Sequence, residues 1–119
     1  MASSRNKQPE APAVEEEFVI RVRMLAAADV SDEFLEELTM LVQDALAEHA
    51  EAVAPGASAS ANFGTRQIEL DFIVEAQSPE EMHRKVGEIV SVAMEAIPQR
   101  EPQPVAFAGS QTSAILVPA

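Results

Sequence analysis

The chain has 119 residues, with eight Lys and Arg against twenty Asp and Glu, two His, and no Cys, Trp or Tyr; by the usual size relation this is one domain. A formal charge of −12 sets it against polyanions, because binding to nucleic acid or an anionic membrane releases counterions only where Lys and Arg neutralise phosphates, and here they are scattered. The lack of cysteine excludes a disulfide framework, a thiol nucleophile, a CxxC metal site and an iron–sulfur cluster, while 21 alanines among the hydrophobic residues imply a thin core.

Residues 1–16 are polar, carry Pro9 and Pro12 and show no apolar period. They are expected to form a disordered arm ahead of one α+β domain spanning 17–119. The first seventeen residues lack the apolar centre of a signal peptide, and no apolar run approaches the roughly 18 residues that span a bilayer. A cytoplasmic protein is the expectation.

Order begins with EFVIRVRML. Phe18, Ile20, Val22 and Met24 share one face and Val19, Arg21, Arg23 and Leu25 the other, the pattern of a half-buried strand. After the connection at 26–30, residues 31–50 predict a helix. Ser31 is a suitable N-cap, and Asp32 and Glu33 sit where the dipole favours anions. Its apolar positions fall in two rows, Phe34, Leu38, Leu41 and Ala45 beside Leu35, Val42, Leu46 and His49. Pro55-Gly56 marks a turn.

ASASANF, 57–63, alternates again, with Ala57, Ala59, Ala61 and Phe63 on one side. Gly64-Thr65 predicts a two-residue type II′ hairpin turn into RQIELDFIVEA, whose Ile68, Leu70, Phe72, Val74 and Ala76 face inward. Ser78, Pro79 and Glu81 write a capping box with proline at the first helical position. Met82, Val86, Ile89, Ala93 and Ile97 mark the buried stripe of that second helix. In the tail, SAILV at 113–117 is the better strand candidate, with VAFA at 105–108 a candidate to pair with it.

The order β-α-β-β-α-β has one natural solution, a ferredoxin-like sandwich with an antiparallel sheet of order 4-1-3-2 and both helices on one face. Strands 1 and 3 are then central neighbours. Their outward faces carry Arg21 and Arg23 on one and Glu69, Asp71 and Glu75 on the other; Glu69 and Asp71 meet the arginines as a cross-strand charge ladder, with Val19, Leu25 and Ile73 adding apolar area to the same open face. The alanine- and serine-bearing second strand becomes a lightly guarded edge, open to a second copy or an added strand. The chain resembles the ferredoxin-like families in element order alone. It lacks the CxxC of metal-chaperone members, the glycine-rich arginine-bearing loop of acylphosphatase-like members and the sheet aromatics of RNA-recognition members.

Function follows mostly by elimination. Residues 29–51 hold eight carboxylates and no Lys or Arg, a face suited to solvent or to a basic protein surface; a plain helix does not supply the oxygen cage of a Ca²⁺ site. Glu80-x-x-His83 is half of a di-metal helix motif, without the second copy or the further carboxylates that motif needs. No phosphate-binding or dinucleotide glycine motif is present. No catalytic residue, metal or cofactor is therefore expected. The candidate binding residues are Arg21, Arg23, Glu69, Asp71 and Ile73 on the sheet, and His83, Arg84 and Lys85, which form a basic spot in an acidic chain. A protein-interaction or assembly module, as a homo-oligomer or part of a larger complex, is the first expectation. A small-ligand-binding regulator is the alternative, and a cofactor-free enzyme using His49 or His83 as base is the third.

Overall fold

A computed structural model describes residues 16–116. Its elements are β1 (Glu16–Ala26), α1 (Asp32–His49), β2 (Ser58–Asn62), β3 (Gln67–Ala76), α2 (Pro79–Glu95) and β4 (Val105–Leu116). The expected arm lies outside the described residues except for Glu16, which opens β1.

Period-two alternation decides which side of the sheet is dry. Ile20, Val22 and Met24 of β1 and Ile68, Leu70 and Val74 of β3 are fully buried, while Val19, Leu25 and Ile73 between them are exposed. The strands make one open antiparallel sheet of order β2-β3-β1-β4, the predicted 4-1-3-2 read from the other end. Both helices pack on the buried face. α1 lies chiefly over β2 and reaches β3, and α2 lies over β3 and β1.

The helix starts follow the sequence closely. Ser31 Oγ accepts from the Phe34 amide at 3.1 Å, and Ser78 Oγ from the Glu81 amide at 3.1 Å. The reciprocal half of the second cap is displaced by one residue: Glu81 Oε1 accepts from the amide of Gln77, ahead of the cap, at 2.7 Å. That bond, with Lys85 and Arg84 nearby, holds the Glu81 carboxyl below its ordinary range.

Four expectations need correction. In α1 the buried residues are Leu35, Leu38, Thr39, Val42 and Leu46; Leu41 is 45% exposed and His49 is exposed. At roughly 100° per residue, Leu41 falls about a third of a turn from the stripe's centre, whereas Thr39 falls within it; His49 is on the stripe's side but is the last residue of the helix. Thr39 is accommodated because its hydroxyl donates to the Leu35 carbonyl at 2.8 Å. Phe63, placed by alternation on the side of Ala57, Ala59 and Ala61, lies past the end of β2 and is exposed in the hairpin loop.

That loop is not a two-residue turn. Asn62 pairs with Gln67, so Phe63 to Arg66 form the connection, and Arg66, not Gly64, takes positive φ, at 58°. Asn62 Oδ1 accepts from the Thr65 amide at 3.1 Å, an Asn-based turn that the Gly-Thr pair masked. Arg66 then ties the hairpin to the chain between β1 and α1. Its carbonyl accepts from the Ala26 amide at 2.9 Å, and its guanidinium donates to the Val30 carbonyl and to Asp32 at 3.3 Å.

Residues 105–108 do not pair with 113–117. They belong to one strand, β4, of 12 residues, which runs antiparallel along the whole of β1; Val117 lies outside the described residues. Arg23 stands opposite Gly109 and Met24 opposite Phe107, leaving Ala108 as the extra residue of a bulge. Gly109 adopts φ of 152° there, a conformation that L side chains rarely take.

Candidate functional site: the open face of the sheet

The odd-numbered residues of β1 and β3 face away from the helices. Antiparallel register sets Arg21 opposite Asp71 and Arg23 opposite Glu69. Arg21 Nε donates to Asp71 Oδ1 at 2.7 Å, and Arg23 Nε lies 3.9 Å from Glu69 Oε2. The hydrogen bond to Asp71, then its charge and that of Glu69, raise the Arg21 pKa above its ordinary value. The ladder continues to both sides. Arg23 Nη2 donates to Gln111 Oε1 of β4 at 2.8 Å, and Asn62 Nδ2 of β2 donates to Glu69 Oε2 at 3.4 Å. One polar chain thus crosses all four strands. Exposed pairs of this kind contribute little each, about 0.2–1 kcal/mol; together they neutralise the centre of the face, while Glu17 and Glu75 stand opposite each other at its end as further carboxylates.

Val19, Leu25 and Ile73 stand around the ladder and are exposed. One shallow depression of about 390 Å³ opens at the β3 margin, lined by Glu17, Ala52, Val53, Pro55, Ile73, Glu75 and Lys85. Another, of about 410 Å³, runs over Val19, Arg21, Asp71, Gln111, Thr112 and Ser113.

The eight candidate residues therefore divide. Arg21, Arg23, Glu69, Asp71 and Ile73 share the open face. Lys85 reaches its margin, donating to the Glu75 carbonyl at 2.6 Å and lying 3.7 Å from Glu81. His83 and Arg84 stay exposed on α2, in the other layer, and Arg84 donates to Glu88 at 2.8 Å. The basic spot expected at 83–85 is thus neutralised on its own helix. Among the described residues every Lys and Arg is ion-paired: Arg100 meets Asp29 at 3.3 Å and the remaining pairs are those above.

The carboxylates have no such cover. Glu33, Glu36, Glu37, Asp44 and Glu51 on and after α1 meet no cation within ion-pair distance among the described residues. His49 Nε2 lies 3.2 Å from Glu48 on the exposed helix surface, beside a groove between the helices lined by Ala45, Val92, Glu95 and Ala96. Among the described residues no three His, Asp or Glu side chains converge as metal ligands would, and no helix is long and apolar enough to cross a membrane.

Four structural contacts carried no sequence signal. Arg100 sits 5.3 Å over the Phe34 ring, and Arg66 clamps the hairpin. Gln111 extends the ladder. Gln43 of α1 accepts from the Ala59 amide at 2.8 Å through Oε1 and donates to the Ala57 carbonyl at 3.4 Å through Nε2. A side-chain amide has the same donor and acceptor as a peptide, so Gln43 occupies the outer rim of β2 as a short piece of neighbouring strand would. This edge is less open than its bare sequence suggests.

No family model, no curated protein and no solved structure matches this chain.

Proposed function

We propose that this chain is a non-catalytic protein-interaction module of ferredoxin-like arrangement, acting through the open face of its sheet within a homo-oligomer or a larger complex. The observation that carries this reading is electrostatic. On a chain of net charge −12, the centre of the face across β3, β1 and β4 is where two cations balance two anions and where Val19, Leu25 and Ile73 stand exposed around them. Such a centre, neutral and bordered by apolar side chains, accepts a protein partner without desolvating unpaired charge, with Glu17 and Glu75 left toward one end. Nucleic acid and membrane surfaces fit poorly, because the described Lys and Arg are already engaged. The acidic outer side of α1 suits a basic protein surface.

The test is the mass of the purified complex. Native mass spectrometry or sedimentation at micromolar concentration should report a species larger than the monomer, alone or with a co-purified protein, and Ile73→Asp should weaken it. A strict monomer with no companion sinks the proposal. A second reading, a small-ligand regulator, draws on the depression beside Ile73, Glu75 and Lys85. A ligand present at 100 times its Kd would stabilise the protein by about 2.7 kcal/mol in a thermal-shift screen.

A further inference from the structure

The two edges of the sheet differ, and the difference points to the partner of one of them. β4 is an edge strand of 12 residues. From Pro102 to the end of the chain there is no Asp, Glu, Lys, Arg or His, the longest uncharged stretch of a strongly acidic protein. No Lys, Pro or inward charge stands along it, and its one guard is the bulge at Ala108.

The helical layer also stops short of β4. Register places Thr112, Ser110 and Phe107 opposite Ile20, Val22 and Met24. The β1 residues are fully buried, yet Ser110 and Thr112 are exposed and Phe107 is 54% exposed. From Phe107 to Thr112 this strand is therefore uncovered both at its rim and on the helix side, beyond the buried Val105.

Resting on the reading that the chain works through protein contacts, we propose that β4 pairs antiparallel with the β4 of a second copy about a two-fold axis. Three physical points favour a second copy over a foreign strand. An antiparallel pair about a two-fold is self-complementary in its backbone donors and acceptors, and it closes. The other edge is occupied by Gln43, so pairing stops at a dimer instead of running on into a fibre.

Charge selects the same edge. The acidic α1 sits over β2 and β3. Strands lie about 4.8 Å apart, so pairing through β4 sets the two α1 helices roughly 29 Å apart, some three Debye lengths at physiological salt. Pairing through β2 would set them roughly 10 Å apart, side by side. The product is a continuous sheet of twice the four strands of one copy. Its two bare β4 strips merge into a single floor between the two helical layers, and the open face is displayed twice.

The experiment compares the full chain with Thr112→Glu and Ile73→Asp by sedimentation at micromolar concentration, and follows backbone hydrogen exchange in the unaltered chain as concentration rises. The expected result is a dimer that Thr112→Glu weakens by about tenfold or more, since like charges brought together across a strand pair repel, with circular dichroism and monomer melting unchanged. Exchange in β4 should slow with concentration at alternate amides, those pointing to the rim. A dimer that resists Thr112→Glu but yields to Ile73→Asp overturns the β4 interface and leaves the open-face reading standing. A monomer without companions overturns both. If Thr112→Glu fails to fold, exchange decides: β4 amides that ignore concentration, or slow only when a foreign protein is added, overturn pairing between copies.

Discussion

β2 and β4 close the same sheet, and neither carries a charged side chain, yet they are in opposite conditions. β2 is five residues long, lies beneath α1 and has its rim bonded by Gln43. β4 is more than twice as long, carries a bulge at Ala108 and, past its buried first residue Val105, is largely exposed from Ala106 to Ser113. Edge protection thus resides in neither the strand's composition nor its propensity. It comes from what the adjoining layer places against the rim, and here one side-chain amide suffices. An edge can be open by sequence and shut by tertiary structure.

The contrast can be broken first by removing what holds α1 down. Leu38 is fully buried beneath that helix, and Leu38→Ala should cost about 2–5 kcal/mol in denaturant titration, loosening the seat of Gln43 and making the two edges alike. Ser78→Ala removes the cap of the helix that stops one strand short of β4, at about 1 kcal/mol in the same measurement. Gln43→Ala addresses the difference directly. It should lower stability by only about 0.5–1.5 kcal/mol, but it unlocks β2, and sedimentation should then show assemblies beyond the proposed dimer.

Smaller still, Asp71→Asn leaves both edges intact and removes one rung of the ladder between them, about 0.2–1 kcal/mol by double-mutant cycle with Arg21. The finest effect is pH-dependent. The Glu81 carboxyl is held below its ordinary value of 4.5, chiefly by the Gln77 amide. Its contribution to the start of α2 is therefore complete above that value and is lost as pH falls through the lower, folded one. Chemical unfolding of native chain and Glu81→Gln at stepped pH should show curves that converge on acidification; curves that stay parallel count against the bond.

Much of this arrangement was legible before any coordinates. The inward residues of β1 and β3, the two serine caps and the opposition of Arg21 and Arg23 to Asp71 and Glu69 all follow from periodicity and topology, which are local or symmetric signals. What was not legible depends on distance in three dimensions. Nothing near residue 43 announces a side chain that bonds Ala57 and Ala59. The glycine and threonine at 64–65 outweighed Asn62 in the choice of turn. VAFA and SAILV look like separate strands in sequence because the bulge before Gly109 and a break look alike in one dimension. Leu41 and Thr39 changed places because apolar character alone set the helix stripe, although a threonine that bonds its own backbone can be buried.

The pairing of every described Lys and Arg has a consequence for salt. Residues 1–15 hold two cations and two anions, so the whole surplus of −12 belongs to residues 16–119, much of it around α1. Added electrolyte ordinarily weakens proteins held by surface ion pairs, but here the attractions are short and already made, whereas the repulsion is long-ranged and uncompensated. Shortening the Debye length from about 30 Å at low ionic strength to about 8 Å at physiological values screens the second far more than the first. The fold should therefore melt at higher temperature as sodium chloride is added, and a purification in dilute buffer would handle the protein in its least stable form.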